Sequence, residues 1–361
     1  MKRGIVQFVA VAAISSVIAA AAPHLASDDR GLYEDLGRQI PLPDCWNLAC
    51  VRVLVAGVLE HMPGPSELRW KTYAVVMNAA TSVAVGRFAV LAGLSEKSGL
   101  LASWIAAFGF GSLYTLFDPY TSDALMYLMG PVLSILLLQG QRVRAASLAA
   151  VAVFAKEFAA APLWMFAMAS ALARRWEEAM RTLLAATTVT LVWFATLTFL
   201  MAFYNYSFGE NKSIDLAHGG YIALWLSNVG AAGALKYLFV TFSALFVLFP
   251  AGLPRSPDVL QRMAIASLPA AMVFVYVQQP ERALWNFHFV VIPVAVAALE
   301  GFPDWAAWLF VACFGITNVR FGAQLLTATI GRVALVMSLL LAGAAVARGY
   351  LSRSSGEWRE A

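Results

Sequence analysis

Four acidic residues, Asp28, Asp29, Glu34 and Asp35, stand within eight positions directly after the first apolar stretch. A carboxylate held partly out of water becomes a stronger base, because burial disfavours its charged form, and can then take a proton from a hydroxyl. Asp28 and Asp29 are the candidates for that work. Ser27 before them gives a structural reading of the same residues: a serine N-cap followed by first-turn acids stabilises a helix through its unpaired amides and its dipole. Leu32, Tyr33, Leu36 and Ile40 then recur at helical spacing, so an amphipathic interfacial helix is expected over 28–40. Arg30 and Glu34 can pair across one turn of it.

A second acidic group lies in DPYTSDALMY. Asp118 before Pro119 reads as a helix start, with Asp118 as cap and Pro119 as the first helical residue. On that register Asp123 is more than a turn into the helix, on one face with Tyr120 and Tyr127, where a carboxylate needs a partner or a substrate. Carboxylates without histidine or cysteine suit Mg²⁺ or Mn²⁺, so Asp118 and Asp123 are the candidates if a metal binds. In VFAKEFAAAP, Lys156 and Glu157 are adjacent and point about 100° apart on a helix. Each must therefore meet a different neighbour: either two separate ion pairs form, or Lys156 meets an anionic ligand. In QQPERALWNFHF, Pro280 opens a helix whose first turns carry Arg282, Trp285, Asn286 and His288 on one broad face. The Arg282 fork suits a phosphate, and the amides of a helix start add to it. Trp285 also suits an interfacial aromatic. His288 has no second histidine nearby and is expected to bind a ligand or hydrogen-bond rather than hold a metal. Arg320 is a further cation of the same group.

The elements that position these residues are helices in a membrane. Hydrophobic residues make up 61% of the chain, charged residues 13%, and the mean hydropathy is +0.72. A soluble domain is less apolar and carries more charge. Apolar runs at 4–22, 70–92, 99–117, 120–139, 182–204, 233–250, 263–279, 283–300, 304–319 and 330–347 approach or reach the length of a membrane span. The dyad alternation of a barrel is absent, which leaves an all-α polytopic protein. Its formal charge of +4 sits mostly in loops and points to no nucleic acid. Lys2 and Arg3 put the N-terminus on the cytoplasmic side, and Arg142 and Arg144 agree. A single crossing over 145–173 would then expose Arg174, Arg175, Arg181, Arg255, Arg262 and Arg348 on the outer side. A short helical hairpin over 145–173, turning near Lys156 and Glu157, restores agreement. The expectation is one transmembrane domain, 1–361, with about twelve transmembrane or partly spanning helices and both termini cytoplasmic. An uncleaved first helix is preferred over a secretory signal, because its apolar stretch is too long for one.

Residues 23–69 form the long outer loop. Cys45 and Cys50 within it can pair if the residues between them turn, but not across a regular helix. Cys313 reads as packing. Asn205-Tyr206-Ser207 matches a glycosylation sequon. On this topology the outer side collects Asp28, Asp29, Asp118, Asp123, Lys156, Glu157, Glu210, Lys212, Asp215, His218, Glu281, Arg282, His288 and Arg320. Ionisable groups at membrane depth are costly and suggest function. One-sided polar chemistry points to an enzyme working at that face, the periplasmic face of a cell inner membrane.

In this arrangement the chain resembles the GT-C superfamily of integral-membrane glycosyltransferases, bacterial mannosyltransferase-like members included. The likeness rests on SDDRGLYEDLG after the first helix, DPYTSD at the second outer turn, AKEFAAAP within short helices, PER opening a late helix, and CVRVLVAGVLE. It implies a polyprenyl-phosphate-linked sugar donor and a glycan, lipid or protein acceptor. It implies Asp28 or Asp29 as general base and inversion at the anomeric carbon. Lys156, Arg282, His288 and Arg320 would then face the donor phosphate. Asp118, Tyr120, Asp123, Glu157, Trp285 and Asn286 would line the substrate site. Two other readings remain. A lipid-linked glycan ligase or polymerase would lean on a large outer loop with several arginines, whereas here that loop is acidic. A transporter or flippase of a lipid-linked substrate would favour internal repeats and midplane sites, and no repeat is evident.

Overall fold

The computed structural model describes residues 2–23, 29–45, 48–206, 230–269 and 280–354. Among the described residues all regular structure is helical. Five helices are long and apolar enough to cross a membrane, or six if one bent pair counts as a span. Against about twelve expected, several of the anticipated spans are broken into pieces too short to cross alone.

The long helices are α1 (Lys2–Ala21), α4 (Ser66–Leu91), α10 (Trp176–Phe203) and α17 (Ala328–Ser354). The fifth crossing is built from α5 (Glu96–Ala107) and α6 (Phe110–Phe117), which meet at Phe108-Gly109. Gly109 and Gly111 are required at that break. A Cβ on Gly109 would lie 2.0 Å from the Trp285 ring, and one on Gly111 would lie 2.2 Å from it. The Ser112 hydroxyl donates to the Ala106 carbonyl at 2.7 Å, which ties the two pieces together across the break.

The outer loop carries α2 (Asp29–Arg38) and α3 (Val53–Glu60), and Cys45 and Cys50 are bonded. The amphipathic helix expected over 28–40 is thus present as α2. Asp28 itself lies outside the described residues, as do Glu210, Lys212, Asp215, His218 and the end of the expected span 263–279. Asn205 follows α10 and donates to Asp44 at 2.9 Å, which ties the end of α10 to the loop.

Helix α7 (Asp123–Leu138) would run only about 24 Å at 1.5 Å per residue. Then come α8 (Arg142–Ala152) and α9 (Ala161–Leu172), separated by an irregular stretch that contains Lys156. Pro162 opens α9, where a missing N–H costs nothing. Arg142 at the start of α8 pairs with Glu178 in the first turn of α10 at 3.0 Å. Both ends of the segment between them therefore lie at one end of the bundle.

In the C-terminal third, α11 (Gly230–Phe242) and α12 (Leu245–Gly252) meet at 97°. Helices α13 (Asp258–Ala266), α14 (Pro280–Leu284), α15 (His288–Ala297) and α16 (Asp304–Phe321) follow before α17. Helix α15 is the centre of the protein: all but one of its residues are buried, as befits a helix that is apolar all round. Gly252 lets α12 touch it, since a Cβ there would fall 1.8 Å from the Val294 carbonyl. The long helices α1, α10 and α17 instead leave apolar side chains bare. Val6 is 69% exposed, Leu184 70% and Leu340 63%. That is the surface a helix offers to lipid.

One end of the bundle is basic. There Lys97 pairs with Asp304, Arg255 donates to the Ala298 carbonyl at 3.3 Å, and Gly349 packs on the Arg255 guanidinium. Arg3 shares a cleft with Arg87 and Lys97 at the same end. The other end carries α2, α3 and the loop after α6.

Candidate functional site

At the end opposite the basic one, segments far apart in the chain meet around Asp123. This residue opens α7 and is 0% exposed. Lys156, at the break between α8 and α9, donates to its Oδ1. Arg282 in α14 approaches Oδ2 through Nε at 2.8 Å and Nη2 at 2.8 Å. The same Nη2 donates at 2.8 Å to Thr121 Oγ1, which in turn accepts the Asp123 backbone N–H at 3.2 Å. The Arg282 guanidinium also stands 5.0 Å from the centre of the Tyr114 ring, within cation–π range. The Tyr127 hydroxyl donates to the Arg282 carbonyl at 3.3 Å.

A second pair lies beside it. Arg52, just before α3, donates to both oxygens of Glu157 at 3.0 and 3.3 Å. Burial alone would make Arg52 easier to deprotonate, but Glu157, Tyr33 and Asp123 together outweigh it and the guanidinium holds its proton more firmly than usual. Lys156 and Glu157 thus meet different neighbours, as adjacent positions require. The outcome is two separate ion pairs rather than a lysine left free for an anion. Arg52, Lys156 and Arg282 thus gather around Asp123 and Glu157, and the buried Asp118 stands beside them through Tyr114, three cations with three carboxylates among the described residues.

Helix α2 is seated on this cluster by aromatic rings. Tyr33 lies 5.4 Å from Trp70, which lies 5.8 Å from Tyr73 and 5.4 Å from Tyr120. Arg30 stands 5.1 Å over the Tyr120 ring. Tyr73 continues inward: its hydroxyl accepts the Leu125 N–H at 2.9 Å in the first turn of α7. Burial raises the Tyr33 hydroxyl above its ordinary range, against the pull of nearby Arg52. Glu34 anchors the same helix through Ser66 at 2.8 Å and Arg30 at 3.1 Å. Partial burial pushes its carboxyl up, but these two partners outweigh that and hold it below the usual glutamate value. Asp29 is the first residue of α2 and is partly exposed.

Several expected positions differ. Asp118 does not cap a helix that begins at Pro119. It follows the end of α6, and α7 begins only at Asp123, because residues 118–122 form a loop whose turn is held by Tyr73 and Thr121. Asp123 is therefore in the first turn of its helix, not beyond it. Tyr114 donates to Asp118 at 3.5 Å. The helix that carries Trp285, Asn286 and His288 is not regular. A tighter turn at Trp285–Phe287 breaks their helix, and all three are buried. Trp285 stacks on His288 with centroids 5.3 Å apart, His288 Nδ1 lies 2.7 Å from the Trp285 carbonyl, and Asn286 donates to Ala283 at 2.9 Å. Arg320, at the end of α16, packs its stem beside Gly331 and forms no ion pair with a described residue. It does not join the Asp123 cluster.

These residues do not fit a divalent metal. Both oxygens of Asp123 already accept from cations, and among the described residues no group of three or more histidine, cysteine or acidic side chains forms. Arg52, Thr121 and Tyr73 were not anticipated in the site. For Arg52 a signal existed, a lone arginine in the apolar run CVRVLVAGVLE. For Thr121 and Tyr73 there was none. No family model and no curated protein matches the chain.

Proposed function

We propose that this protein is a GT-C-like membrane glycosyltransferase, moving a sugar from a polyprenyl-phosphate donor to an acceptor hydroxyl at the end that carries α2. The observation that carries the reading is the seating of the Asp29-bearing helix on a buried cluster that gathers three cations, Arg52, Lys156 and Arg282, from distant segments. Asp28 or Asp29 takes the proton of the acceptor hydroxyl while its oxygen attacks the anomeric carbon. The bond from that carbon to the donor phosphate breaks, its electron pair stays on the phosphate oxygen, and the configuration inverts. The preplaced cations Arg52, Lys156 and Arg282 favour the phosphate as it gains charge. Here Lys156 and Arg282 act while held by Asp123, so the carboxylate fixes where the two cations stand. The lipid tail of the donor stays in the bilayer. The collection of basic residues at the far end supports a placement with that end and both termini cytoplasmic, in a cell inner membrane, with about twelve full or partial spans.

Transfer of radiolabelled sugar from a membrane lipid extract tests the reading, using purified wild type, Asp28→Asn and Asp29→Asn. Loss of the base should lower transfer by about 10²–10⁴-fold in one of the two variants, without a change in melting temperature. A wild-type protein that transfers from no lipid-linked donor overturns the proposal.

The bent pair α11 and α12 favours a second reading, a transporter, because broken helices build transport sites. It would move a lipid-linked substrate across vesicles with neither sugar transfer nor dependence on Asp28 or Asp29.

A further inference from the structure

A cleft of about 1600 Å³ opens on the side of the bundle, away from the Asp123 cluster. Its walls come from α1, α4, α5 and α7, and it reaches the basic end. Gly86 of α4 and Gly99 of α5 let their backbones touch, since a Cβ on Gly86 would lie 2.7 Å from the Gly99 carbonyl. Ser82 and Ser103 hold that crossing by donating to each other's carbonyl at 2.9 and 2.7 Å.

The lining is divided. Toward the middle of the bundle it is apolar, with Phe8, Leu128, Val132 and Ile135. At the basic end it presents Arg3, Arg87, Lys97 and Glu96. Lys97 is spent on Asp304. Arg3 and Arg87 are both exposed and form no ion pair with a described residue. An apolar trough that ends in two cations has the shape and charge of a lipid: a chain along the trough, a phosphate at its mouth. A zwitterionic lipid sets its phosphate beside its own cation, whereas an anionic lipid brings net negative charge to Arg3 and Arg87, which outnumber Glu96 at the mouth. Basic pockets between membrane helices at the cytoplasmic side hold anionic headgroups for this reason.

We propose that this cleft is a binding site for one anionic phospholipid, its headgroup between Arg3 and Arg87 and an acyl chain against Phe8 and α7. The site is separate from the sugar-transfer proposal and needs only that the chain lies in a membrane, which solubility with and without detergent tests independently.

Native mass spectrometry of the full chain, released from nanodiscs of phosphatidylglycerol and phosphatidylcholine, tests it. Wild type should retain one phosphatidylglycerol in preference to phosphatidylcholine. Arg3→Ala with Arg87→Ala should lower that retention about tenfold or more. Leu100→Trp should do the same by filling the cleft. Leu100 lines it and is 43% exposed, so the larger ring has room without disturbing the core. Equal retention in all three proteins, or equal retention of the two lipids by wild type, overturns the proposal.

Discussion

Replacing Asp123 by asparagine keeps the shape of the side chain and removes its charge. Lys156 and Arg282 would then be left beside each other in a site where Asp123 is 0% exposed. Removing one partner of a buried ion pair costs about 3–5 kcal/mol, mostly because the remaining charge is stranded. In a chain of this length that corresponds to a fall in melting temperature of roughly 4–7 °C. The assay is thermal unfolding of the detergent-purified protein followed by size exclusion. Arg181 and Glu177 supply the control: they pair on an exposed face, 65% and 78% exposed, and Glu177→Gln should move the midpoint by about 1 °C or less. Lys156→Met in the Asp123→Asn background removes one stranded cation and should recover about half the loss, a coupling within the range seen for touching residues. A midpoint for Asp123→Asn within about 2 °C of wild type, or strict additivity of the two changes, would refute the view of Asp123 as the anchor of both cations.

Gly109→Ala should lower the melting midpoint by several degrees, since its Cβ would lie 2.0 Å from the Trp285 ring and overpacking costs about 1–3 kcal/mol; Trp285→Leu in that background should restore part of it. Of three cysteines, Cys45 and Cys50 are bonded and Cys313 is free. Maleimide should therefore label one thiol per denatured, unreduced chain and three after reduction, and a count of three before reduction would contradict the pairing. Glu34 has a lowered carboxyl pKa in the folded state, so its contribution is complete above the ordinary glutamate range and is lost as pH falls through the lowered value. The difference in melting midpoint between wild type and Glu34→Gln should therefore be present at neutral pH and shrink on acidification; a difference that grows would have the wrong sign.

The helical class and the amphipathic α2 were legible in the chain, because both rest on local periodicity. The separate partners of Lys156 and Glu157 were legible as a geometric necessity, but which partners they would find was not. That choice depends on Arg52 and Asp123, which reach them only through the fold. The register at Asp118 was misjudged for a related reason. Aspartate before proline is a sound local start signal, yet a tyrosine from α4 and a threonine side chain hold residues 118–122 as a loop, and the helix waits for Asp123. The regular helix assumed for Arg282, Trp285, Asn286 and His288 is interrupted by a tighter turn at Trp285–Phe287, where Trp285 packs against Gly109 and Gly111.

The Asp123 cluster also sets an order of events during synthesis. Lys156 follows Asp123 by 33 residues, whereas Arg282 comes 159 residues after it. The growing chain can neutralise its buried acid early, with a neighbour made soon afterwards. The second cation arrives only when most of the remaining chain has been inserted. The set of three cations is therefore complete only as the C-terminal third closes over the rest. Whatever anion the finished site attracts, an unfinished chain has little to hold it with.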